Sequence, residues 1–146
     1  MREILFRAKQ IDDGEWVEGY YAMMGKGNLI RHYIVQNCAL TGLFEDPEDN
    51  MYFNDVEIDP ETLCQYTGKT DETGKKIYDK DIVGFIDLTS TESGYSEHSC
   101  VGEVVWGKEE CCFHVTNRLS AESWEVLDEC KVVGNVFDDK ELLEEF

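Results

Sequence analysis

Apolar and polar residues alternate with a period of two through most of this chain, a spacing that fits strands and little else. Successive side chains of a strand point to opposite faces, so this pattern puts one set in a core and the other in water, whereas a helix needs a repeat near 3.6. In EILFRAKQI, Ile4, Phe6 and Ala8 share one face, and Arg7 and Lys9 point away. Asp13-Gly14 then offers a turn that tolerates positive φ. GEWVEGYYAM returns with Trp16, Glu18 and Tyr20 on one side and Val17, Gly19 and Tyr21 on the other. Gly25-Lys26-Gly27-Asn28 predicts the next turn and LIRHYIVQN a third strand. Further strands are expected in YFNDVEI, ETLCQYTG, KKIYDKDIVGFIDL, VGEVVWG, ECCFHVTN and KVVGNVF.

Helix signals are few. SAESWEVL at 120–127 has Ser120 as a cap, and the tail DDKELLEEF has Asp138 followed three residues later by Glu141, with Leu142, Leu143 and Phe146 as a packing face. The expected class is therefore mainly β, a β-rich α+β fold of two interlocked small lobes, the C-terminal one a bent SH3-like barrel, ending in a short helix. At 146 residues the chain is expected to form a single domain, 1–146. Within it, 1–44 is the N-terminal β lobe, 45–61 an acidic excursion, and 62–146 the barrel lobe plus terminal helix. Residues 45–61 hold eight acids, no Lys or Arg, and both prolines, so the segment repels itself and is expected to be a loop around the short YFNDVEI strand. A second flexible stretch is expected at TSTESGYSEHS, 89–99.

Charge bounds the function. Thirteen Lys and Arg stand against 32 Asp and Glu, a formal net charge of −19, while 42% hydrophobic residues supply a core that a disordered acidic chain lacks. Nucleic-acid binders gain affinity by placing Lys and Arg on phosphates, so direct nucleic-acid binding is disfavoured, and anionic membranes are disfavoured for the same reason. The first residues, MREILFRAKQ, lack the apolar run of a signal peptide, and no run is long enough for a membrane helix, so a cytoplasmic location is expected. Six cysteines, at 38, 64, 100, 111, 112 and 130, include no C-x-x-C pair and read as small apolar core residues of a reducing compartment.

Candidate chemistry is sparse. On a strand, Cys112 and His114 share a face about 7 Å apart, the nearest approach to a thiol and imidazole pair, with Cys111 beside them. His98 and Cys100 form a second such pair, an alternative metal site. Glu45, Asp46, Glu48 and Asp49 lack the spacing of a calcium loop. Gly68-Lys69-Thr70 resembles the end of a phosphate loop, but Leu63 occupies the place of its first glycine and a turn, not a helix, follows. The aromatics of GEWVEGYY sit beside Glu15 and Glu18, against a base-stacking platform, which requires a basic groove. No catalytic, cofactor-binding or metal-binding residue is assigned, and no cofactor is expected.

Six blocks carry a family resemblance: REILFRAK, GEWVEGYY, the approach IDPETLCQYTG with its continuation GKTDETGKKIYDKDIV, GEVVW at 102–106, and VVGNVFDDKELL. In order and spacing they resemble the YopX family of phage and prophage proteins. The resemblance implies a β-rich cytoplasmic accessory protein of no established biochemical activity, and it brings no site residues. It reads Gly19 and Gly68 as backbone-permissive and Trp16, Tyr66, Tyr78 and Trp106 as large core or lobe-interface side chains. The chain departs from the family pattern at Lys80, where a glycine is expected, and in its acidic segment. The expected function is non-enzymatic, through contacts with other proteins and as a homo-oligomer. One alternative is an acidic DNA mimic that blocks a host nucleic-acid-binding protein. Another is an uncharacterised enzyme or metal-binding protein using Cys112 and His114.

Overall fold

The computed structural model describes residues 1–40, 51–117, 124–126 and 129–144. Within them the chain forms two compact units, Met1–Gln65 and Tyr66–Phe146. The expectation of a mainly β fold is met, in two antiparallel sheets.

The first unit contains β1 (Phe6–Lys9), β2 (Trp16–Lys26), β3 (Leu29–Leu40), β4 (Met51–Glu57), a 3₁₀ turn at Pro60–Thr62 and the start of β5 (Cys64–Thr70). Its strand order is β4-β3-β2-β1-β5. Ala8 lies opposite Val17 in the ladder, and together with Ile34 and Ile58 they form a core against which Phe6, Tyr21, Val56 and Leu63 pack. Burying such a Val or Ile contributes roughly 1.5–3 kcal/mol. Of the two faces that period-two reading separates in β2, the structure buries that of Val17 and Gly19 and exposes Glu18 and Tyr20. Ahead of β1 the reading fails, since Leu5 rather than Ile4 is buried, because pairing starts only at Phe6. Gly19 has no positive φ. Its value lies in space: a Cβ there would stand 2.3 Å from the Val35 carbonyl oxygen of β3.

The 3₁₀ turn shows why IDPETLC reads as a unit. Asp59 accepts a hydrogen bond from the Glu61 N–H (3.0 Å), and Pro60 occupies the first turn, where its missing N–H costs nothing. The Thr62 hydroxyl donates to the Asp59 carbonyl (2.7 Å) and accepts from the Lys9 N–H (2.8 Å), tying the turn to β1.

In the second unit β5 continues and pairs with β6 (Lys76–Tyr78). β7 (Asp81–Thr91), β8 (Gly94–Gly107), β9 (Cys112–Thr116), β10 (Trp124–Glu125) and β11 (Lys131–Asn135) form an open sheet in the order β10-β9-β8-β7-β11. Ile77, Val83, Val104, Val115, Val126, Cys130 and Val132 are its core, with Phe85, Phe113 and Trp124 at the edge. Trp106 is a correction, since it is 48% exposed and rests edge-on against Phe113. Tyr66 and Tyr78 are buried against each other, and Trp16 is half-buried under Arg7 and Lys9.

Three further expectations change. The stretch 89–99 is no loose linker: β7 and β8 run on to Thr91 and Gly94 as one long hairpin, with Gly94 at φ 134° closing the turn. Its ladder is built by Thr, Ser and Tyr, which favour strands without leaving an apolar alternation to read. Trp124–Glu125 is not helical but pairs with Val115 and His114, because Trp124 gains more by packing on Phe85 than a short helix gains from propensity. The terminal helix is a 3₁₀ segment at Lys140–Leu143 whose N-cap is Asp139, without a side-chain capping bond, and Asp138 accepts from the Asn135 amide (3.2 Å). Residues 45–50 of the expected acidic excursion lie outside the described residues, and most of 51–61 forms β4, paired with β3, and the turn at Pro60–Thr62.

Lys80 keeps the bend that a glycine would make, with φ 65°. Its N–H donates to the Val104 carbonyl (2.8 Å) and its carbonyl accepts from Val136 (3.0 Å), so both neighbours hold the left-handed turn. An L-residue there costs about 1–2 kcal/mol, partly offset by the smaller entropy its unfolded chain loses relative to glycine. Lys80→Gly is therefore expected to be neutral to stabilising by up to roughly 1 kcal/mol, and Lys80→Val to destabilise by roughly 2 kcal/mol, read as urea midpoints. Destabilisation by glycine as large as that by valine would show that the bend carries no strain.

Candidate functional site

The Gly68-Lys69-Thr70 stretch is part of a strand connection. Gly68 and Gly74 adopt φ 91° and 86°, and between them the chain bends back to β6. The bend is held by Asp71, a buried side chain that the sequence reading passed over as part of a polar loop. One oxygen, Oδ1, accepts from the Thr73 N–H (2.9 Å), the Thr73 hydroxyl (2.7 Å) and the Lys75 N–H (2.9 Å). The other, Oδ2, accepts from the N–H of Val132 on β11, 2.9 Å away and 61 residues along the chain. The Glu72 N–H adds a bond to the Cys130 carbonyl (3.0 Å). Burial pushes the Asp71 pKa upward as the largest single influence. Bonds from the Thr73 hydroxyl and from the Val132, Lys75 and Thr73 N–H groups together outweigh it, and the pKa falls from 3.8 to about 2. The D-x-T-x-K spacing was the available signal, since a short acid two and four residues before bend amides is a turn device.

A second buried carboxylate follows the same logic. Asp81, with no exposure, accepts from the Tyr78 N–H (2.8 Å) across the Lys80 bend. In the closing block, Asp139 accepts from the Asn135 N–H (3.1 Å), and Asn135 accepts from Phe137 and Asp138. A Cβ on Gly134 would stand 2.5 Å from Asp139 Oδ2, so only glycine admits this contact.

The pairs singled out for chemistry do not assemble. Cys112 is exposed and His114 half-buried on β9, and no hydrogen bond between them is present among the described contacts. The His114 ring lies over Gly107 instead, where a Cβ would meet its Cε1 at 2.6 Å and the Glu110 carboxylate at 2.4 Å. Cys111 sits in the preceding turn at φ 55°, its thiol directed to the Lys108 carbonyl (3.5 Å). On β8, Cys100 is half-buried and His98 exposed. Burial and the Asp87 charge raise the Cys100 pKa against a smaller hydrogen-bond effect, which disfavours the reactive thiolate. Among the described residues no group of three or more His, Cys, Asp and Glu is placed to hold a metal ion. Glu45, Asp46, Glu48 and Asp49 lie outside the described residues.

One concavity among the described residues is a cleft of about 490 Å³ between β8–β9 and the C-terminal segment. Val136, Phe137 and Leu143 form its apolar wall, and Glu103, Thr116, Asn117 and Lys140 its polar one. Glu103 lies opposite Thr116 in the ladder. Its pKa is raised, first by burial and then by Asp79, with Lys80 partly offsetting both. Asn117 donates its amide to the Val101 carbonyl (3.2 Å), which fixes its orientation. Neither Cys112 nor His114 lines this cleft, so the carboxyl has no thiol or imidazole partner there.

These features define a class: a mainly β chain of two antiparallel sheets whose buried polar side chains are committed to turns and to ties between strands. The chain belongs to the YopX family, whose model, described as YopX protein, matches residues 5–144. Among solved structures it is similar to the crystal structure of protein EF1440 from Enterococcus faecalis, at 18% identity over 98% of this chain and 99% of that one, with a TM-score of 0.61. At that identity the likeness shows the fold. No curated protein matches the chain.

Proposed function

We propose that this YopX-family protein is a non-enzymatic accessory protein of the phage or prophage kind, cytoplasmic, working through contacts with other protein chains and as a homo-oligomer. The observation that carries this reading is apolar surface left open on the two long hairpins. On β2–β3, Met23, Met24, Leu29 and Ile30 are each about half or more exposed, and on β7–β8 the same holds for Ile86, Leu88 and Tyr95. Clusters of this kind, unlike single surface leucines, mark interaction sites. The buried carboxylates Asp71 and Asp81 are spent on the turns described above, and Cys112 and His114 do not assemble, which supports the non-enzymatic part.

Light scattering coupled to size exclusion tests the reading. Wild-type protein is expected to elute at a multiple of its 16.8 kDa chain mass. A strictly monomeric peak at high concentration overturns the homo-oligomer. The net charge of −19 supports the second reading, a DNA mimic, which expects a basic nucleic-acid protein to be captured and then released by moderate salt.

A further inference from the structure

The end of the β2–β3 hairpin differs from the rest of the molecule in two independent ways. First, it is apolar on both faces. Residues directly opposite in the ladder share a face, so Met23 with His32 and Gly25 with Ile30 lie on one side, and Met24 with Arg31 and Lys26 with Leu29 on the other. Deeper in the hairpin Ile34 is fully buried, but from Met23 to Arg31 every residue is exposed. An ordinary surface strand hides one face and wets the other with polar groups; this one leaves both apolar sides uncovered. Second, residues 19–36 contain Lys26 and Arg31 and no acid at all. The remainder of the chain has 11 basic residues against 32 acidic ones, a balance of −21.

The β7–β8 hairpin is its complement. Residues 81–107 contain no Lys or Arg and five acids, of which Asp81 is buried, Asp87 and Glu103 are half-buried, and Glu92 and Glu97 are exposed. Ile86 is opposite Ser99, Leu88 opposite Glu97 and Ser90 opposite Tyr95, so Ile86, Leu88 and Tyr95 form one apolar stripe with Glu97 beside it. The arm pairs apolar side chains with Lys26 and with Arg31, whose guanidinium also lies 3.9 Å from the Glu57 carboxylate, and the stripe pairs apolar side chains with Glu97, so the two match in both properties.

We propose that the β2–β3 arm of one copy docks on the Ile86, Leu88 and Tyr95 stripe of a second copy. This rests on the homo-oligomeric reading and specifies its interface. Two acidic copies repel each other over most of their surfaces, and the arm is where that repulsion reverses. The two partners of the contact are different patches, so the interface is head-to-tail, and successive copies close a ring or extend a filament.

The test uses full-length protein in two double variants at exposed positions, with light scattering as readout and circular dichroism to confirm folding. Met24→Glu/Ile30→Glu replaces one apolar side chain on each face of the arm and adds charge that the stripe repels. Ile86→Glu/Leu88→Glu removes the stripe. Each variant alone is expected to be monomeric under conditions where wild type associates. Mixed in equal amounts, at up to ten times that concentration, they are expected to form a 1:1 dimer of two 16.8 kDa chains, because one supplies an intact arm and the other an intact stripe. Association retained by either variant alone overturns the proposal, and so does a mixture that stays monomeric. Wild-type protein that is itself monomeric overturns the homo-oligomeric reading, whereas an associating wild type with either of the two preceding results overturns the docking arrangement alone.

Discussion

Asp71→Ala is expected to lower the unfolding free energy by roughly 3 kcal/mol, seen as an earlier urea midpoint in far-ultraviolet circular dichroism and in Trp fluorescence. The reason is the asymmetry between making a hydrogen bond and stranding its donor. Alanine leaves the Val132 N–H buried without its acceptor and frees the Thr73 and Lys75 amides that shape the bend. Asp71→Asn keeps one carbonyl-type acceptor and loses the charge, so a smaller loss, roughly 1–2 kcal/mol, is expected. Equal midpoints for wild type and Asp71→Ala would mean that the tie to β11 is not a determinant of stability.

The same carboxylate sets a pH dependence of definite sign. Its pKa is depressed in the folded protein, from 3.8 to about 2, so the stabilisation is complete above the unfolded value. It declines as pH falls from about 4 through about 2, where the folded protein also takes up the proton. Wild type and Asp71→Ala should therefore differ fully at pH 6 and by clearly less below pH 2, where the protonated carboxyl, like asparagine, keeps only its carbonyl-type acceptor. A difference that grows on acidification would reverse the sign and exclude this carboxylate as its source.

Gly19→Ala is the second large effect, an expected loss of roughly 3 kcal/mol and a shift of the β2–β3 amide resonances. The added carbon would stand 2.3 Å from the Val35 oxygen and 2.9 Å from its carbonyl carbon, both backbone atoms that cannot swing aside. The ladder must therefore open at Tyr20 and Val35. Gly14→Ala is the matched comparison, because a Cβ there meets nothing within 4 Å and only its φ of 72° is strained. The expected cost is about 1 kcal/mol. If both alanines cost the same, the close approach of β2 and β3 is not what selects glycine at position 19.

How much of this was legible depended on whether the signal was local. The strands that carry Val17, Ile34, Val83, Val104 and Val132 announced themselves by spacing, because a strand's two faces are encoded in neighbouring residues, while the face that is buried was left to the structure. The β7–β8 tip did not, since beyond Leu88 and Glu97 its ladder is Thr, Ser and Gly with Tyr95 as the single apolar ring, too little for period two to mark. Trp124 looked helical for the complementary reason. Its local propensity favoured a turn of helix, and the contact with Phe85 that overrides it lies 39 residues away. For the site, the sequence offered Cys112 and His114 because they share a strand face, but facing the same way does not bring two side chains together. His114 turned to the space above Gly107 instead.

By itself the sequence determined the strand-dominated class, the family, the inward-facing residues and the excess of negative charge, all of which follow from composition and from positions a few residues apart. Only the tertiary structure decided that Asp71 reaches Val132 and that both faces of the β2–β3 tip stay bare. It also decided that the acid-free and base-free hairpins each carry an apolar stripe. These depend on where the backbone brings distant segments and on what fails to cover a surface, and neither is a property of any short stretch of chain.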